Sequence, residues 1–467
     1  MPDRGPAWGA LPLVTAGIGL LAALSALVLP SVPSFDPWAW IVWGREIDTH
    51  LRFATFGGPS WKPLPVAFTT VFGLFGGAAP GLWMVTVRAG GLLALFGAYR
   101  LGSRLAGWAA GAVAAAGLLL TTHWLRFVER GASEPLVVGL LLWAILAHLG
   151  SRRRTAFMLT LAASLARPEV WPFLGLYAIW LWRADASRVR WLIVGGLALL
   201  PLLWFVAPWI GSDDPFTASN HAATFNGHLG SDPPLEVLRR GGALVASPLL
   251  LGALVAAVLA LRRRQRLTLW LAGASIAWVG VVVAMALVGY PGLARFMLPA
   301  AALVCVLGGA GLVRVVRFVR RRPIAIVLAL VLAGGTIAGS LSRLGELRAQ
   351  YAEARDAEHE FASLDQAVKA AGGPRLVVRC AGGLVAVNHF SLTALAWTLG
   401  IELRAVRPFL RHPGITFQAP NLASIGGPPE LSYRPRRVYE IAQVGVWHVF
   451  GALPPGERPA PGCPHRP

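Results

Sequence analysis

The sequence predicts a polytopic, all-α membrane protein with about eleven transmembrane helices and a small C-terminal α/β extracytoplasmic domain. Of its 467 residues, 55% are hydrophobic and only 14% are charged, whereas soluble domains carry about 25% charged residues. Several apolar runs reach the roughly 20 residues that a helix needs to cross a bilayer. Short arginine clusters separate these runs, as the positive-inside rule requires of cytoplasmic loops. Together these observations exclude a disordered chain, a coiled coil and a small disulfide-stapled fold.

The order of apolar runs and arginine clusters determines the predicted topology. The first run is followed by further spans, so we interpret it as an uncleaved first helix rather than a signal peptide. Eleven crossings put the arginine clusters on one side, with the N-terminus in the cytoplasm and the C-terminal segment outside the inner (plasma) membrane of a bacterial cell. We predict the crossings near residues 8–30, 81–99, 105–123, 135–150, 155–166, 169–182, 191–210, 243–261, 267–289, 296–313 and 323–341.

Two ambiguous stretches are interpreted from the same sidedness. If the short apolar stretch 64–77 crossed the membrane, every later arginine cluster would lie on the outer side. We therefore expect this stretch to form a re-entrant or interfacial helix on the outer side. Residues 155–182 are too long for one ordinary span and contain Arg167-Pro168-Glu169, so we expect two short helices that meet at Pro168. Such broken helices are tolerated in membranes only where protein or water satisfies the backbone.

The C-terminal segment differs in composition from the rest. We therefore divide the chain into a transmembrane domain, residues 1–341, and an extracytoplasmic α/β domain, residues 342–467. Cys380 and Cys463 both lie in the second domain. Because the outer compartment permits disulfides, we predict a bridge between them, with two free thiols as the alternative. After a charged helical run, the segments that we predict as a strand, a helix and a strand are 374–380, 388–399 and 401–406.

The first predicted outer loop, residues 31–80, concentrates polar and aromatic side chains. Asp36 follows the first span directly, and the tryptophans after it are arranged as in an amphipathic helix at the membrane interface. An interfacial anchor with Asp36 as its N-cap is one interpretation. It leaves Trp61 and Lys62 unexplained, because Lys62 is one of only two lysines among 42 basic residues. We therefore favour an active-site loop.

Further ionisable residues gather on the same predicted side of the membrane. Glu129 and Glu134 lie at the outer ends of the third and fourth spans, and Arg167 and Glu169 lie at the break between two half-helices. An ionised group at membrane depth costs about 2.5–3.5 kcal/mol on insertion scales, so such residues are functional candidates. An internal Arg–Glu pair that only stabilises the break is the alternative. Arg295 lies outside the cytoplasmic clusters, which favours an anionic ligand.

The loop at 211–240 carries several potential metal ligands. A divalent metal is conceivable there, but the spacing matches no tight ligand motif, so a solvated loop is the favoured interpretation and no cofactor is assigned. The residues concerned are Asp213, Asp214, Asn220, His221, Asn226 and His228.

The polar side chains suit a lipid-linked substrate. Lys62, Arg167 and Arg295 could hold a phosphate whose polyprenyl tail stays in the bilayer, and their positive charge would stabilise the leaving phosphate. A carboxylate in the same cavity could act as general base on an incoming hydroxyl. The sequence contains no P-loop and no G-x-G-x-x-G after a strand, and its charges form no single basic surface, so nucleic acid is not an expected partner.

The order of several motifs is similar to that of a known family. Asp36, just after the first span, is followed by Trp61-Lys-Pro-Leu-Pro and by a short apolar helix ending in Phe-Gly-Leu-Phe-Gly. Further along are Ala166-Arg-Pro-Glu and Arg295-Phe-Met-Leu-Pro. Over residues 1–340 the chain therefore resembles the GT-C superfamily of membrane glycosyltransferases, most closely its protein O-mannosyltransferase and aminoarabinose-transferase branch.

This resemblance implies a glycosyltransferase of the bacterial cell envelope. Such an enzyme moves a hexosyl or pentosyl group, mannose among them, from a polyprenyl-phosphate donor to a glycan, lipid or protein acceptor on the outer face. Asp36 would be the catalytic carboxylate; because Pro37 stands where the family often has a second acid, Glu46 and Asp48 are alternatives. The implied donor-phosphate contacts are Lys62, Arg295 and Arg167. The other candidate substrate-binding residues are Glu134, Glu129, Glu169, Trp38, Trp61 and His221.

Two other functions are kept as alternatives. A lipid or glycolipid transporter (a flippase) would show polar residues at the membrane midplane on repeated broken helices, whereas this chain has one broken pair without an inverted partner. A non-catalytic envelope scaffold would recruit partners through its outer domain and would lack a cavity that joins Asp36, Lys62 and Arg295.

Overall fold

The computed structural model of the chain describes most of its residues and groups them into two compact units. The described residues are 11–51, 53, 57–184, 187–224, 232–318, 322–410, 414–419, 430–431, 437–453, 456 and 458–464. Unit 1 comprises Met1–Leu29, Met84–Leu203 and Ala222–Ala352, and unit 2 comprises Pro30–Trp83, Trp204–His221 and Glu353–Pro467. The segment that follows the first helix thus shares a unit with the C-terminal segment, and the functional division at residue 341 stays a prediction.

The described part of the chain is mostly helical, as predicted. Its helices are α1 (Leu11–Val28), α2 (Phe35–His50), α3 (Pro63–Gly73), α4 (Ala79–Ala106), α5 (Trp108–Leu119), α6 (Trp124–Glu129), α7 (Glu134–Leu149), α8 (Arg153–Ala166), α9 (Trp171–Ala184), α10 (Ser187–Pro201), α11 (Ala207–Ser212), α12 (Thr217–Thr224), α13 (Pro233–Leu244), α14 (Ser247–Arg262), α15 (Arg266–Leu287), α16 (Leu298–Phe318), α17 (Arg322–Ala370), α18 (Pro374–Cys380) and α19 (Leu392–Leu399). Single 3-10 turns occupy Gly76–Ala78, Pro168–Val170, Ala294–Met297, His389–Ser391 and Leu403–Ala405, and a π-helical turn occupies Leu202–Val206.

Several of these helices are suited to a membrane. Among the described residues, those long and apolar enough to cross it are Gly76–Ala106, Val189–Ser212, Arg266–Leu287 and Ala294–Phe318. The pair α13 and α14, bent by 103°, would make a fifth span. Shorter apolar helices are Leu13–Val28, Pro63–Gly73, Trp108–Leu119 and Glu134–Leu149. The prediction of a multi-pass membrane protein is confirmed, whereas the number of eleven crossings stays a prediction.

Both ambiguous stretches form the short helices that we expect. Helix α8 ends at Ala166, and Arg167 is extended, with φ −147° and ψ 123°, because a residue before proline disfavours the helical region. A 3-10 turn at Pro168–Val170 then leads into α9. Helix α3 has 11 residues and is about 16 Å long, too short to span a bilayer. Its place relative to the membrane stays a prediction.

Close backbone contacts hold the helices of unit 1 together. A Cβ atom at Gly309 of α16 would lie 2.5 Å from the carbonyl oxygen of Ala110 in α5. A Cβ atom at Gly308 would lie equally near the carbonyl of Leu249 in α14. Small residues allow membrane helices to approach in this way, and α16 is accordingly buried over most of its length.

Helix α17 is tied to the ends of earlier helices in unit 1. The Arg343 guanidinium donates to the carbonyls of Leu120, at 2.9 Å, and Leu244, at 2.7 Å, which end α5 and α13. Two turns further along, Gln350 Oε1 accepts the backbone N–H of Arg126 in α6, at 3.0 Å. These bonds satisfy backbone groups that a helix end leaves without an intrahelical partner.

The C-terminal part of unit 2 carries a mixed sheet, as the predicted α/β domain requires. Its strands are β1 (Val385–Val387), β2 (Val406–Arg407), β3 (Phe409–Leu410), β4 (Gly414–Gln418), β5 (Glu430–Leu431), β6 (Arg437–Val444) and β7 (Trp447–Leu453). The larger sheet has the order β2-β1-β4-β7-β6, with β1 parallel to both neighbours, β7 antiparallel to β4, and β6 antiparallel to β7. A smaller parallel pair joins β3 and β5.

Two of the predicted C-terminal strands are wrong in part or whole. Segment 374–380 is the helix α18, because Pro374 occupies the first helical position, where its missing N–H is not needed. Within 401–406, a 3-10 turn precedes a strand that begins only at Val406. The predicted helix at 388–399 is confirmed as a 3-10 turn followed by α19.

A disulfide closes the C-terminal segment. It joins Cys380, the last residue of α18, to Cys463, which lies 83 positions later in the sequence, and the two Cα atoms are 5.8 Å apart. The bond restrains the end of the chain against α18.

Candidate active site

Helix α2 positions the predicted catalytic carboxylate. Asp36 lies in its first turn, after Ser34 as the N-cap residue, where a negative charge complements the helix dipole. Trp40 lies one turn further along the same face, because residues four apart on a helix are neighbours. Asp36 is half-buried, whereas Trp40 is fully buried.

Helices α2 and α3 pack backbone against backbone. A side chain at Gly44 would overlap the main chain of Thr69, so α2 requires glycine at that point of contact. Thr69 is itself fully buried and its hydroxyl donates to the carbonyl of Trp40, at 2.6 Å. This contact fixes α3, and therefore the residue before it, relative to α2.

Lys62 is the N-cap residue of α3 and is held beside Trp40. Its backbone is extended (φ −138°, ψ 110°), because Pro63 follows it. The side chain is 7% exposed, and its Nζ atom lies 4.9 Å from the centroid of the Trp40 ring. A cation over an indole face is attracted by the ring quadrupole, by about 0.5–2 kcal/mol. The Lys62 ammonium thus lies against a buried indole of α2, and Asp36 lies one helical turn before that tryptophan.

The other aromatic candidates in this region are packed inside unit 2. The Trp38 ring stacks on Phe361, with centroids 4.8 Å apart, and the Trp61 ring lies 5.7 Å from that of Trp43. All the indoles of α2 are buried, which disagrees with a simple interfacial anchor. His221 Nδ1 lies 3.3 Å from the carbonyl oxygen of Pro59. Contact of Trp38, Trp61 or His221 with a substrate stays a prediction.

Glu46, an alternative for the base, has a structural partner. The backbone N–H of Leu403 donates to Glu46 Oε1 at 2.8 Å, and the side chain is 3% exposed. Burial raises the pKa of Glu46 to about 7, and the bond from Leu403 opposes that rise. The carboxyl therefore joins two segments of unit 2, ten residues beyond Asp36.

Unit 1 contains a buried ion cluster at the break between α8 and α9. Arg167 Nη1 donates to Glu134 Oε1 at 2.8 Å, and Arg167 Nη2 donates to Glu169 Oε1 at 2.9 Å. The two glutamates are 2% exposed and the arginine 5%. The Phe296 ring lies 4.4 Å from the guanidinium carbon of Arg167. Both terminal nitrogens of Arg167 thus serve carboxylates, as in the internal-pair alternative.

Arg295 is the more accessible cation of this cluster. Its Nε atom lies 3.7 Å from Glu134 Oε1, and its side chain is 31% exposed. Glu134 therefore has two guanidinium groups near one carboxylate oxygen. Glu129, the last residue of α6, is buried, and its contact with a substrate stays a prediction.

The described residues contain no cluster of three or more metal-ligating side chains. In the loop at 211–240, Asp214 accepts the N–H of Phe216 at 2.8 Å and the amide of Asn220 at 2.9 Å, so it orders the start of α12. Asn226 and His228 lie outside the described residues.

The candidate lists from the sequence omit three residues on which this geometry depends. They are Trp40 beneath Lys62, and Gly44 and Thr69 at the contact of α2 with α3. The sequence offered a pattern that could have identified Trp40, since it lies four residues after Asp36 in a tryptophan-rich helix. No sequence pattern could have identified Gly44 and Thr69, because their contact depends on how two helices pack.

Comparison with known proteins places the fold. The sequence matches no protein-family model and no curated protein. The structure of ArnT, the aminoarabinose transferase from Cupriavidus metallidurans, bound to undecaprenyl phosphate, is 15% identical and superposes with a TM-score of 0.54, covering 94% of this chain and 98% of that one. The apo state of the same transferase gives the same TM-score and identity over 95% and 98% of the chains. An apo oligosaccharyltransferase from Archaeoglobus fulgidus gives a TM-score of 0.48 at 12% identity, over 84% and 64% of the chains. The chain has the fold of ArnT, and the GT-C resemblance of its motifs is confirmed at the level of the fold.

Proposed function

We propose that the protein is an integral membrane glycosyltransferase that moves a sugar from a polyprenyl-phosphate donor to an acceptor on the outer face of the inner membrane. The observation that carries this proposal is the position of the Lys62 ammonium over the buried Trp40 ring, one helical turn of α2 beyond Asp36. The fold likeness to a transferase solved with undecaprenyl phosphate supports the donor class.

The reaction follows from the charges of these two side chains. The Asp36 carboxylate accepts the proton of an acceptor hydroxyl while that oxygen attacks the anomeric carbon of the donor sugar. The bond from the anomeric carbon to the phosphate oxygen breaks, and the polyprenyl phosphate leaves with an additional negative charge. The Lys62 ammonium stabilises that charge, and its burial strengthens the interaction because few waters screen it.

The unit 1 cluster contributes two further proposals. Arg295 contacts the donor phosphate or its sugar, since its guanidinium is partly exposed. Arg167 holds Glu134 and Glu169 in place through its two charge-assisted hydrogen bonds, and any direct contact of Arg167 with phosphate is secondary. The acceptor is a glycan, lipid or protein, and the transferred group is a hexose or pentose.

Donor binding is tested without knowledge of the sugar. Undecaprenyl phosphate is added to the purified protein, and the increase in Tm is measured for wild type, Lys62→Gln and Lys369→Gln. Ligand at about 100 times its Kd stabilises a protein by about 2.7 kcal/mol. We expect the lipid to raise the Tm of wild type and of Lys369→Gln, because Lys369 is the only other lysine and is exposed. Lys62→Gln should weaken binding at least tenfold; equal stabilisation of all three proteins rejects the Lys62 assignment.

Transfer itself is tested in membrane vesicles with radiolabelled polyprenyl-phosphate hexoses and pentoses. Asp36→Asn should abolish transfer and keep the Tm increase with undecaprenyl phosphate, since it removes the base and leaves Lys62 in place. Full transfer by Asp36→Asn would show that another carboxylate is the base. Movement of labelled lipid between leaflets without sugar transfer would favour a flippase instead.

A further inference from the structure

A cleft in unit 2 lies at the other end of the helix that carries Asp36. It has a volume of about 550 Å³, within the range of small-molecule sites. Its walls come from the last turns of α2, the end of α18 and the segment after α19. The lining residues are Arg45, Glu46, Thr49, His50, Val378, Gly383, Gly400, Ile401, Glu402, Arg404 and Ala405.

Arg45 forms part of the wall and is not a free cation. Its guanidinium donates to the carbonyls of Ile401, at 2.6 Å, Trp397, at 3.3 Å, and Ala396, at 3.4 Å. The guanidinium carbon also lies 5.2 Å from the Trp397 ring. Ala396 and Trp397 lie in the last turn of α19 and Ile401 follows it, and a cation is favourable at that end of a helix. Arg45 therefore joins α2 to α19 and keeps the cleft in shape.

The remaining charges of the cleft balance each other. Arg404 is ion-paired with Glu402, and Glu46 accepts the N–H of Leu403. Two guanidinium groups thus face two carboxyl groups, so while Glu46 is ionised the cleft has no excess charge for a phosphate or an ammonium ion. Burial also raises the pKa of Glu46 to about 7, so near neutral pH this carboxyl is able to donate as well as accept a hydrogen bond.

We propose that this cleft binds an uncharged, hydroxyl-rich ligand, namely a glycan segment. Carboxyl and guanidinium groups each offer two planar hydrogen-bonding positions, which suits neighbouring hydroxyls of a sugar ring. Thr49 and His50 add polar groups at the exposed rim. Gly383 and Gly400, at φ +85° and +68°, have no side chain to block the approach of a ligand to the backbone.

The position of the cleft suggests which glycan it holds. Ten residues of α2 separate Asp36 from Glu46, a rise of about 15 Å, which a short oligosaccharide is able to span. We assign the ligand as the part of the acceptor next to the hydroxyl that attacks the donor. This assignment of the glycan as acceptor rests on the proposed transferase function, whereas its binding in the cleft does not.

Binding is tested by saturation-transfer-difference NMR on the full-length protein, purified in a detergent without a sugar headgroup. The probes are the neutral trisaccharides mannotriose and maltotriose, with glucuronate and glucosamine as charged comparators. Thr49→Phe fills the cleft, and Glu358→Phe adds the same side chain at an exposed position of α17 as a matched control. Asp36→Asn is included to separate binding from transfer, and Tm values show which variants are folded.

We expect signal from a neutral trisaccharide that falls at least tenfold in Thr49→Phe and persists in Glu358→Phe and Asp36→Asn. Glu402→Gln keeps the size of the side chain, gives the cleft one positive charge and should shift its preference toward glucuronate. The proposal is overturned by undiminished signal in folded Thr49→Phe, by a wild-type preference for either charged sugar, or by no signal from both trisaccharides. If Asp36→Asn loses transfer but keeps the full trisaccharide signal, glycan binding in the cleft and proton abstraction by Asp36 are both supported as separate functions. If that variant keeps transfer, only the assignment of Asp36 as the base is rejected.

Discussion

Replacing Glu46 by glutamine should remove a pH dependence of stability that arises from one buried carboxyl. Burial raises the Glu46 pKa from its ordinary 4.5 to about 7. Since a tenfold change in proton affinity corresponds to about 1.4 kcal/mol, the ionised form is disfavoured in the fold by roughly 3 kcal/mol. Glutamine keeps a carbonyl oxygen for the N–H of Leu403 but does not ionise.

The sign of the effect follows from proton linkage. Between about pH 4.5 and 7 the folded protein retains a proton on Glu46 that the unfolded chain has lost, so the free energy of unfolding decreases as the pH rises. The stabilising contribution is complete below pH 4.5 and is lost as the pH passes through 7. Glu402, Arg45 and Arg404 also face Glu46, and their charges are unchanged in Glu46→Gln.

The assay is thermal unfolding of wild type, Glu46→Gln and Glu358→Gln at pH 5.5 and pH 8. Glu46→Gln should be more stable than wild type at pH 8 by up to roughly 3 kcal/mol, and the difference should shrink at pH 5.5. Glu358 is exposed, so its variant controls for the loss of one negative charge. An equal pH response of wild type and Glu46→Gln would refute the linkage of Glu46 burial to stability.

Three further predictions concern packing and cross-links. Gly44→Ala should lower the free energy of unfolding by about 1–3 kcal/mol, because its methyl group meets the Thr69 backbone. The control Gly81→Ala has open space around the new methyl group and should be neutral or stabilising by up to about 1 kcal/mol. Matching Tm values for the two variants would contradict the α2–α3 contact. Arg167→Met should lower the free energy of unfolding by about 3–5 kcal/mol, because it removes the guanidinium bonded to two buried glutamates. Arg167→Lys should recover part of this stability. A wild-type Tm for Arg167→Met would argue against the cluster. Cys380→Ser should lower the free energy of unfolding by about 2–4 kcal/mol and should make the C-terminal segment more susceptible to protease. Unchanged cleavage would show that the disulfide does not restrain that segment.

Features with a local cause could be predicted from the sequence. Pro168 excludes a helical conformation at Arg167, so the break between two short helices follows from two residues. The order of motifs around Asp36 and Lys62 predicts the GT-C fold, which the structural comparison confirms.

Short segments were harder to predict. In 374–380 the β-branched valines favour a strand, and seven residues are too few for periodicity to distinguish strand from helix. Gly373, at φ +88°, and Pro374 start a helix there instead.

Long-range contacts left no pattern to recognise. Glu46 meets the N–H of Leu403 across 357 residues, and no spacing within α2 indicates that partner. The burial of Trp38 against Phe361 has the same origin, because a tryptophan facing lipid and one facing another helix look alike in a sequence. The cleft beside Glu46 was therefore beyond prediction.

The bonds made by Arg343 have a consequence for biosynthesis. The carbonyls of Leu120 and Leu244 are synthesised 223 and 99 residues before the guanidinium that they bind. During translation, the carbonyls at the ends of α5 and α13 therefore lack these hydrogen bonds until α17 has been synthesised. A nascent chain released before residue 343 would carry open helix ends, and we expect quality-control proteases to remove it where they spare the full-length product.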